Sequence, residues 1–241
     1  MRILITGGGN GLGKYITEHF TINNRYEVIV VDKVGLDSLD DAFISKIGNY
    51  YQVDLNNNRE LADFLDNLNK CELYPDVIIN NASIRNFKPF YKFTNEEITR
   101  YLNVNLYAGF VLINQFIPYM KEKRYGRIIN IASRSGFWGY STGSLYCATK
   151  AALIKYTESI ARDLKTECNN LTANAICPDS FRDQNEYAIK GNEWIMPRIA
   201  KVIDKIISSK CNGKIIPVLS KKDLFVEFMK DIYKYIKWSY V

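Results

Sequence analysis

A short apolar strand that runs straight into a glycine cluster and then a helix narrows the possible folds of this chain more than any other feature. Arg2-Ile3-Leu4-Ile5 leads into Thr6-Gly7-Gly8-Gly9-Asn10-Gly11-Leu12-Gly13, and a helix-forming stretch continues from about Leu12 to Phe20. Glycine at a strand-to-helix turn permits the tight turn, lets the backbone approach a pyrophosphate and lets helix and strand pack closely. The helix N-terminus then offers free N–H groups and the positive end of its dipole to an anion. A glycine-rich run can also be an ordinary loop, so a second signal is needed. The next apolar run, Glu27-Val28-Ile29-Val30-Val31, supplies it by ending in Asp32. That carboxylate stands roughly 20 residues beyond Gly13, the spacing at which an acidic side chain accepts the ribose hydroxyls of a dinucleotide. Gly7, Asn10, Gly11, Leu12, Gly13 and Asp32 are therefore candidate cofactor-binding residues.

The rest of the chain repeats the strand-helix alternation without internal repeats, low-complexity tracts or a Pro/Gly/Ser linker. Strands are expected near 2–6, 27–32, 50–53, 76–80, 126–132, 171–177 and 213–218, with helices between them and two long ones near 95–122 and 144–168. Such alternation predicts right-handed crossovers and a parallel sheet covered on both faces. The expected fold is a Rossmann-like, doubly wound three-layer α/β sandwich on a mostly seven-stranded parallel sheet, one domain over 1–241. Ligands of such sheets bind beyond the carboxyl ends of the strands. Gly13, Asp32, Asp54, Asn81, Ser133 and Pro178 all fall at or just past such ends.

Chemistry is suggested by Tyr146 and Lys150, four residues apart in Ser144-Leu145-Tyr146-Cys147-Ala148-Thr149-Lys150. Positions i and i+4 share a helix face. An ammonium beside a phenol favours the phenolate and is expected to lower its pKa from about 10. Such a tyrosine exchanges protons with an alcohol or a carbonyl near neutral pH. Ser133, at the end of the apolar run Ile128, Ile129 and Ile131, is placed to orient the same oxygen through its hydroxyl. Taken singly, Ser133 reads as a turn residue and Lys150 as a solvated helix lysine; the joint pattern favours catalysis.

These residues together resemble the short-chain dehydrogenase/reductase family of the standard single-domain type, over nearly the whole chain. Thr6, Gly7, Gly11 and Gly13 follow its T-G-x-x-x-G-x-G pattern. Asp54-Leu55 resembles the acidic residue and following backbone that meet adenine. Asn80-Asn81-Ala82-Ser83 resembles the N-N-A-G turn, and Asn105 the asparagine of the catalytic tetrad. The resemblance implies catalysis by Asn105, Ser133, Tyr146 and Lys150, with Tyr146 as general acid/base interconverting a secondary alcohol and a carbonyl. It also implies that Lys150 bonds the nicotinamide ribose, and that Asn105 holds the helix geometry and a water linking Lys150 to solvent. Asp54, Leu55, Asn81, Ala82, Tyr146, Lys150 and Pro178 join the cofactor-binding set. A homodimer or homotetramer paired through the two long helices is implied as well. The chain departs from the pattern at Ser83, at Asp179 after Pro178, at Asp183 where a threonine often clamps the carboxamide, and at Leu219 where Asp-Gly-Gly is usual. A non-catalytic dinucleotide sensor or interaction protein on the same fold is the alternative reading.

Asp32 argues for NAD because it would repel a 2′-phosphate, while Lys33 leaves NADP as the second choice. The small-molecule pocket is expected from Ile84–Tyr91, Arg134–Tyr140 and Phe181–Met196. Phe137, Trp138, Tyr140, Phe181 and Trp194 supply its walls, and Arg85 and Arg134 are candidates to meet an anionic or polar group. Residues 179–200 are expected as a short substrate lid. The tail 220–241 is expected as an amphipathic stripe through Leu224, Phe225, Phe228, Met229, Ile232, Tyr235 and Ile236. The net charge is +6, but the cations are dispersed, which argues against nucleic acid. No apolar run reaches the ~18 residues needed to span a bilayer. Five cysteines without C-x-x-C spacing suit reduced thiols in a cytoplasmic protein. His19 reads as a plain helix position, and no metal-ligand spacing appears.

Overall fold

The structure is a computed structural model that describes residues 1–22, 25–167, 170–179 and 195–219. Seven strands form one sheet: β1 (Arg2–Thr6), β2 (Glu27–Asp32), β3 (Asn49–Gln52), β4 (Val77–Asn80), β5 (Gly126–Ile131), β6 (Leu171–Pro178) and β7 (Ile215–Val218). All pair in parallel in the order β3-β2-β1-β4-β5-β6-β7. A parallel sheet is buried on both faces, which is why β1, β2 and β4 carry continuous apolar runs instead of alternating ones. All residues of β4, β5 and β6 are buried.

Side chains alternate across the sheet, so neighbouring residues feed different cores. Ile3 and Ile5 face the layer made by α1 (Gly11–Thr21) and α7 (Ile195–Ser208), together with Leu12, Ile16, Phe20, Ile199 and Ile203. Leu4 faces the opposite layer, built by α3 (Asn58–Lys70), α5 (Ala108–Lys123) and α6 (Ser144–Glu167) through Phe64, Leu68, Leu112, Phe116 and Leu164. Each such side chain contributes about 1.5–3 kcal/mol by leaving water. Leu12, Ile16 and Phe20 recur at i, i+4, the stripe that binds a helix to a sheet. The one histidine, His19, sits beside that stripe and its Nε2 lies 2.8 Å from Asp204 Oδ2, joining α1 to α7.

The long helix expected near 95–122 is interrupted. α4 (Asn95–Leu102) begins on a capping box from Thr94 and Glu97, and a π-helical turn at Asn103–Tyr107 leads into α5. Residues 195–200, counted within the expected lid, instead open α7, where Ile195, Ile199 and Ala200 are fully buried. Residues 180–194 of that lid, with Ser180, Phe181, Asp183 and Trp194, lie outside the described residues, as do Cys168 and the tail 220–241. A short four-residue helix, α2 (Asp41–Ile44), completes the elements.

The strand order reverses between β1 and β4, which run side by side while their crossovers leave in opposite directions. The carboxyl ends of these strands open a crevice at the switch point.

Candidate active site

The glycine turn is held by its neighbours' side chains. Gly7 adopts φ +63°, a conformation that costs glycine nothing and other residues strain. Asn10 caps α1, its Oδ1 accepting from the Gly11 N–H at 2.7 Å. Thr6 Oγ1 accepts from the N–H groups of Asn81 and Ala82, both at 3.0 Å. The Asn81 amide donates back to the carbonyls of Thr6 and Gly7, both at 3.0 Å. Thr6 was legible only as part of the glycine motif; its stitching of β1 to the turn after β4 needed the sheet.

Asp32 is buried, and its Oδ2 accepts from the Gly9 N–H at 2.8 Å and its Oδ1 from the Val34 N–H at 3.2 Å. A carboxylate has about four acceptor positions, so capacity remains on the side facing the cleft. Burial, reinforced by the Asp32 charge, pushes the neighbouring Tyr50 phenol up to about 12. The Asp54 carboxylate accepts from the Asn56 N–H at 2.9 Å.

At the other end of the cleft, Ser133 follows β5 and lines the same wall as Tyr146, and its Oγ accepts from the Ser135 N–H at 3.1 Å. Lys150 is buried, its Nζ donating to the Ile131 carbonyl at 2.8 Å and lying 5.6 Å from the centre of the Tyr146 ring. Burial pulls Lys150 down to about 8. The phenol does not follow the downward shift expected from its lysine. Burial raises Tyr146 above its ordinary value, with the Ser133 hydrogen bond and the Arg85 charge opposing. The ammonium stands toward the ring and the Ile131 carbonyl, so the i, i+4 spacing aligned the two side chains without pairing their polar ends.

Asn105 is buried in the π-helical turn. Its Oδ1 accepts from the Ile84 N–H at 2.8 Å, and its Nδ2 donates to the Ile84 carbonyl at 3.2 Å and to Thr149 Oγ1 at 3.1 Å. Thr149 in turn donates to the Tyr146 carbonyl at 3.0 Å. Asn105 thus ties the segment after β4 to the start of the Tyr146 helix. Thr149 was not singled out from sequence; its place beside Lys150 was the available signal.

One cleft of about 920 Å³ gathers Gly7, Asn10, Gly11, Leu12, Gly13, Asp32, Asp54, Leu55, Asn81, Ala82, Ser133, Tyr146, Lys150 and Pro178. Asn105 stands behind its wall, where Val104 is the lining residue. Ser83, Ile84, Arg85, Phe87, Ser135 and Tyr140 line it as well, but Phe137 and Trp138 do not. Phe137 packs instead in a small cluster with Ala132, Leu153 and Ile154. Arg134 is committed elsewhere: its Nη1 meets Asp179 Oδ1 at 2.6 Å, and its guanidinium lies 5.0 Å from the Trp138 ring.

A dinucleotide fits these residues. Among the described residues, no acceptor takes the N–H of Leu12 or Gly13 at the start of α1. Lys150 has three donors and bonds one acceptor. Residues 1–192 match the family described as short chain dehydrogenase. The chain belongs to that family.

Among relatives of this short-chain dehydrogenase is the 3-oxoacyl-(acyl-carrier-protein) reductase FabG of Rickettsia bellii (strain RML369-C). It is 30% identical over 200 residues, covering 77% of this chain and 78% of that protein. A 4-hydroxyisoleucine dehydrogenase mutant complexed with NADH and succinate superposes with a TM-score of 0.80 at 25% identity, covering 92% of this chain and 98% of the other. ElxO with NADP bound shares the fold at a TM-score of 0.76 and 20% identity, covering 91% and 97%. Like its relatives, this dehydrogenase is an oxidoreductase that acts on CH–OH or C=O groups. Among the described residues no helix is long and apolar enough to cross a membrane, and no group of His, Cys, Asp or Glu could hold a metal ion.

Proposed function

We infer that this chain interconverts a small secondary alcohol and its carbonyl with NAD, using Tyr146 as the proton donor and acceptor. One observation carries the reading: Ser133, Tyr146 and Lys150 share a cleft with the glycine turn and Asp32. A bound nicotinamide supplies the hydride chemistry. The chain's own residues hold and protonate the substrate. Ser133 lines the cleft beside Tyr146, so its hydroxyl is placed to orient the same substrate oxygen that the phenol must meet. Lys150 keeps two donors for ribose hydroxyls after bonding Ile131. Asn105 acts through Ile84 and Thr149 as a positioning residue. Asp32 supports NAD over NADP, since a 2′-phosphate would meet its buried carboxylate; Lys33 lines the cleft beside it and is the ground for NADP as the second choice.

Burial raises the Tyr146 phenol above its ordinary value, so the proton that it gives to a carbonyl oxygen is in place at neutral pH. A panel of ketones and alcohols followed by nicotinamide absorbance with each cofactor tests the reading. Reduction should fall as pH rises through about 8, where Lys150 loses the charge that its folded pKa, lowered from 10.5, still allows below that point. A reduction rate that stays level from pH 6 to well above 8 would remove Lys150⁺ from the mechanism. Absence of turnover with bound NADH would reduce the chain to a dinucleotide sensor.

The reading extends to a homodimer or homotetramer joined through the α4–α5 and α6 faces, where Leu102 and Tyr107 are exposed. A compact monomer in sedimentation would count against it. A cytoplasmic setting is supported by free thiols at Cys71, Cys147, Cys177 and Cys211.

A further inference from the structure

The two arginines near the cleft have different fates. Arg134 is spent on the Asp179 carboxylate and stacked on Trp138. Arg85 lines the cleft, is exposed, and makes no ion pair among the described residues. Its guanidinium lies 5.5 Å from the centre of the Phe87 ring. That ring also touches Tyr146 edge-on, at 6.4 Å between centroids, and Tyr140 at 5.9 Å. Phe87 therefore seats Arg85 beside the phenol at the catalytic end, and the Arg85 charge is felt at Tyr146, Tyr140 and Lys150.

The acids that line the cleft do not answer this charge. Asp32 and Asp54 belong to the glycine-turn end, where each accepts backbone N–H groups. Asp179 is already neutralised by Arg134. Lys150 is withdrawn behind the phenol and bonded to Ile131. Of the remaining cations that line the cleft, Lys33 follows Asp32 at the glycine-turn end and Arg100 belongs to α4. Among the described residues no carboxylate pairs with the Arg85 guanidinium, and it lines the space that a substrate held by Tyr146 must fill. Its planar fork matches a carboxylate bidentately, and a single charge matches a single carboxylate.

Building on the alcohol–carbonyl reading, we propose that the substrate is a hydroxy or oxo acid whose free carboxylate is read by Arg85. The reacting carbon then lies at Tyr146 and Ser133 while the acid end points toward Phe87 and Arg85. Neutral ketones of the same size fill the pocket but leave the guanidinium unmatched.

The test compares 3-hydroxybutanoate with 3-hydroxybutanamide, and 4-hydroxypentanoate with its amide, in the full chain and in Arg85→Gln and Arg85→Lys. A preference for acid over amide in kcat/KM of about 10- to 100-fold is expected for one of the pairs, the span of a hydrogen bond to a charged group. It should fall to within about twofold in Arg85→Gln and be partly kept in Arg85→Lys, which retains the charge without the fork. Equal use of acid and amide by the wild type, or a preference that survives Arg85→Gln, overturns the proposal while leaving the alcohol–carbonyl reading intact. Calorimetry of butanoate and butanamide binding in the presence of NADH separates the two claims. Arg85-dependent binding of butanoate over butanamide without turnover of any alcohol would uphold the carboxylate site and sink catalysis.

Discussion

Tyr146→Phe should lose about 10²- to 10⁴-fold in turnover, the contribution of a positioned acid or base, while its affinity for NADH changes less than threefold. The split follows from what the substitution leaves in place. The phenylalanine ring keeps the edge-on contact with Phe87 and the approach of Lys150, so the cleft retains its shape. Only the phenolic hydroxyl is removed. Ser133 still accepts from the Ser135 N–H, so its own position does not depend on the phenol. The glycine turn and Asp32, at the far end of the cleft, are untouched. Steady-state rates alongside an NADH titration check both halves. Residual turnover within tenfold of wild type would mean that another group moves the proton, and an equal loss of NADH binding would mean that the tyrosine acts on the cofactor.

Gly13→Ala is the second large effect and strikes the other end of the cleft. A Cβ built on Gly13 would stand 1.8 Å from the Gly7 carbonyl oxygen and 2.6 Å from the Asn81 amide nitrogen. Neither neighbour is free to leave. The Gly7 carbonyl accepts from Asn81 at 3.0 Å, and that amide also bonds the Thr6 carbonyl. The added methyl must therefore push α1 away from the turn. Overpacking of this kind costs about 1–3 kcal/mol and occasionally more, and it misaligns the N–H groups of Leu12 and Gly13 at the helix start. Gly13→Ala should lower the melting temperature by several degrees and weaken NADH binding more than tenfold. Gly48→Ala is the matched control, because a Cβ there meets nothing within 4 Å. Equal melting temperatures and equal NADH affinities in the two variants would show that the turn tolerates separation, and close helix–strand packing would then not explain the glycine.

The interruption of the helix at Asn103–Tyr107 bears on both ends of the site. A π turn inserts one residue into the helical ladder and is frequent where a helix serves a function. Here it carries Asn105 inward, where its amide serves both backbone groups of Ile84 and the Thr149 hydroxyl. Ile84 and its neighbour Arg85 form one wall of the cleft, and Thr149 sits in the Tyr146 helix. One buried amide therefore couples the segment that carries Arg85 to the helix that carries the phenol.

Sheet and glycine turn were readable from the chain because their causes are local. Val28 to Val31 and Val77 to Ile79 are apolar runs that only a strand buried on both faces can use. Gly7 and Gly13 mark a turn whose geometry other residues resist. Spacing likewise announced Tyr146 and Lys150, since four residues on a helix share a face whatever surrounds them. Ionisation was another matter. The phenol moves up and the lysine down because both lose water, and desolvation depends on everything packed around a group. Arg85 and Arg134 are indistinguishable as letters; only the folding of Asp179 against Arg134 committed one and left the other facing the cleft. Periodicity and backbone preference are properties of consecutive residues, whereas charge pairing and dehydration belong to residues that meet only after the chain has folded.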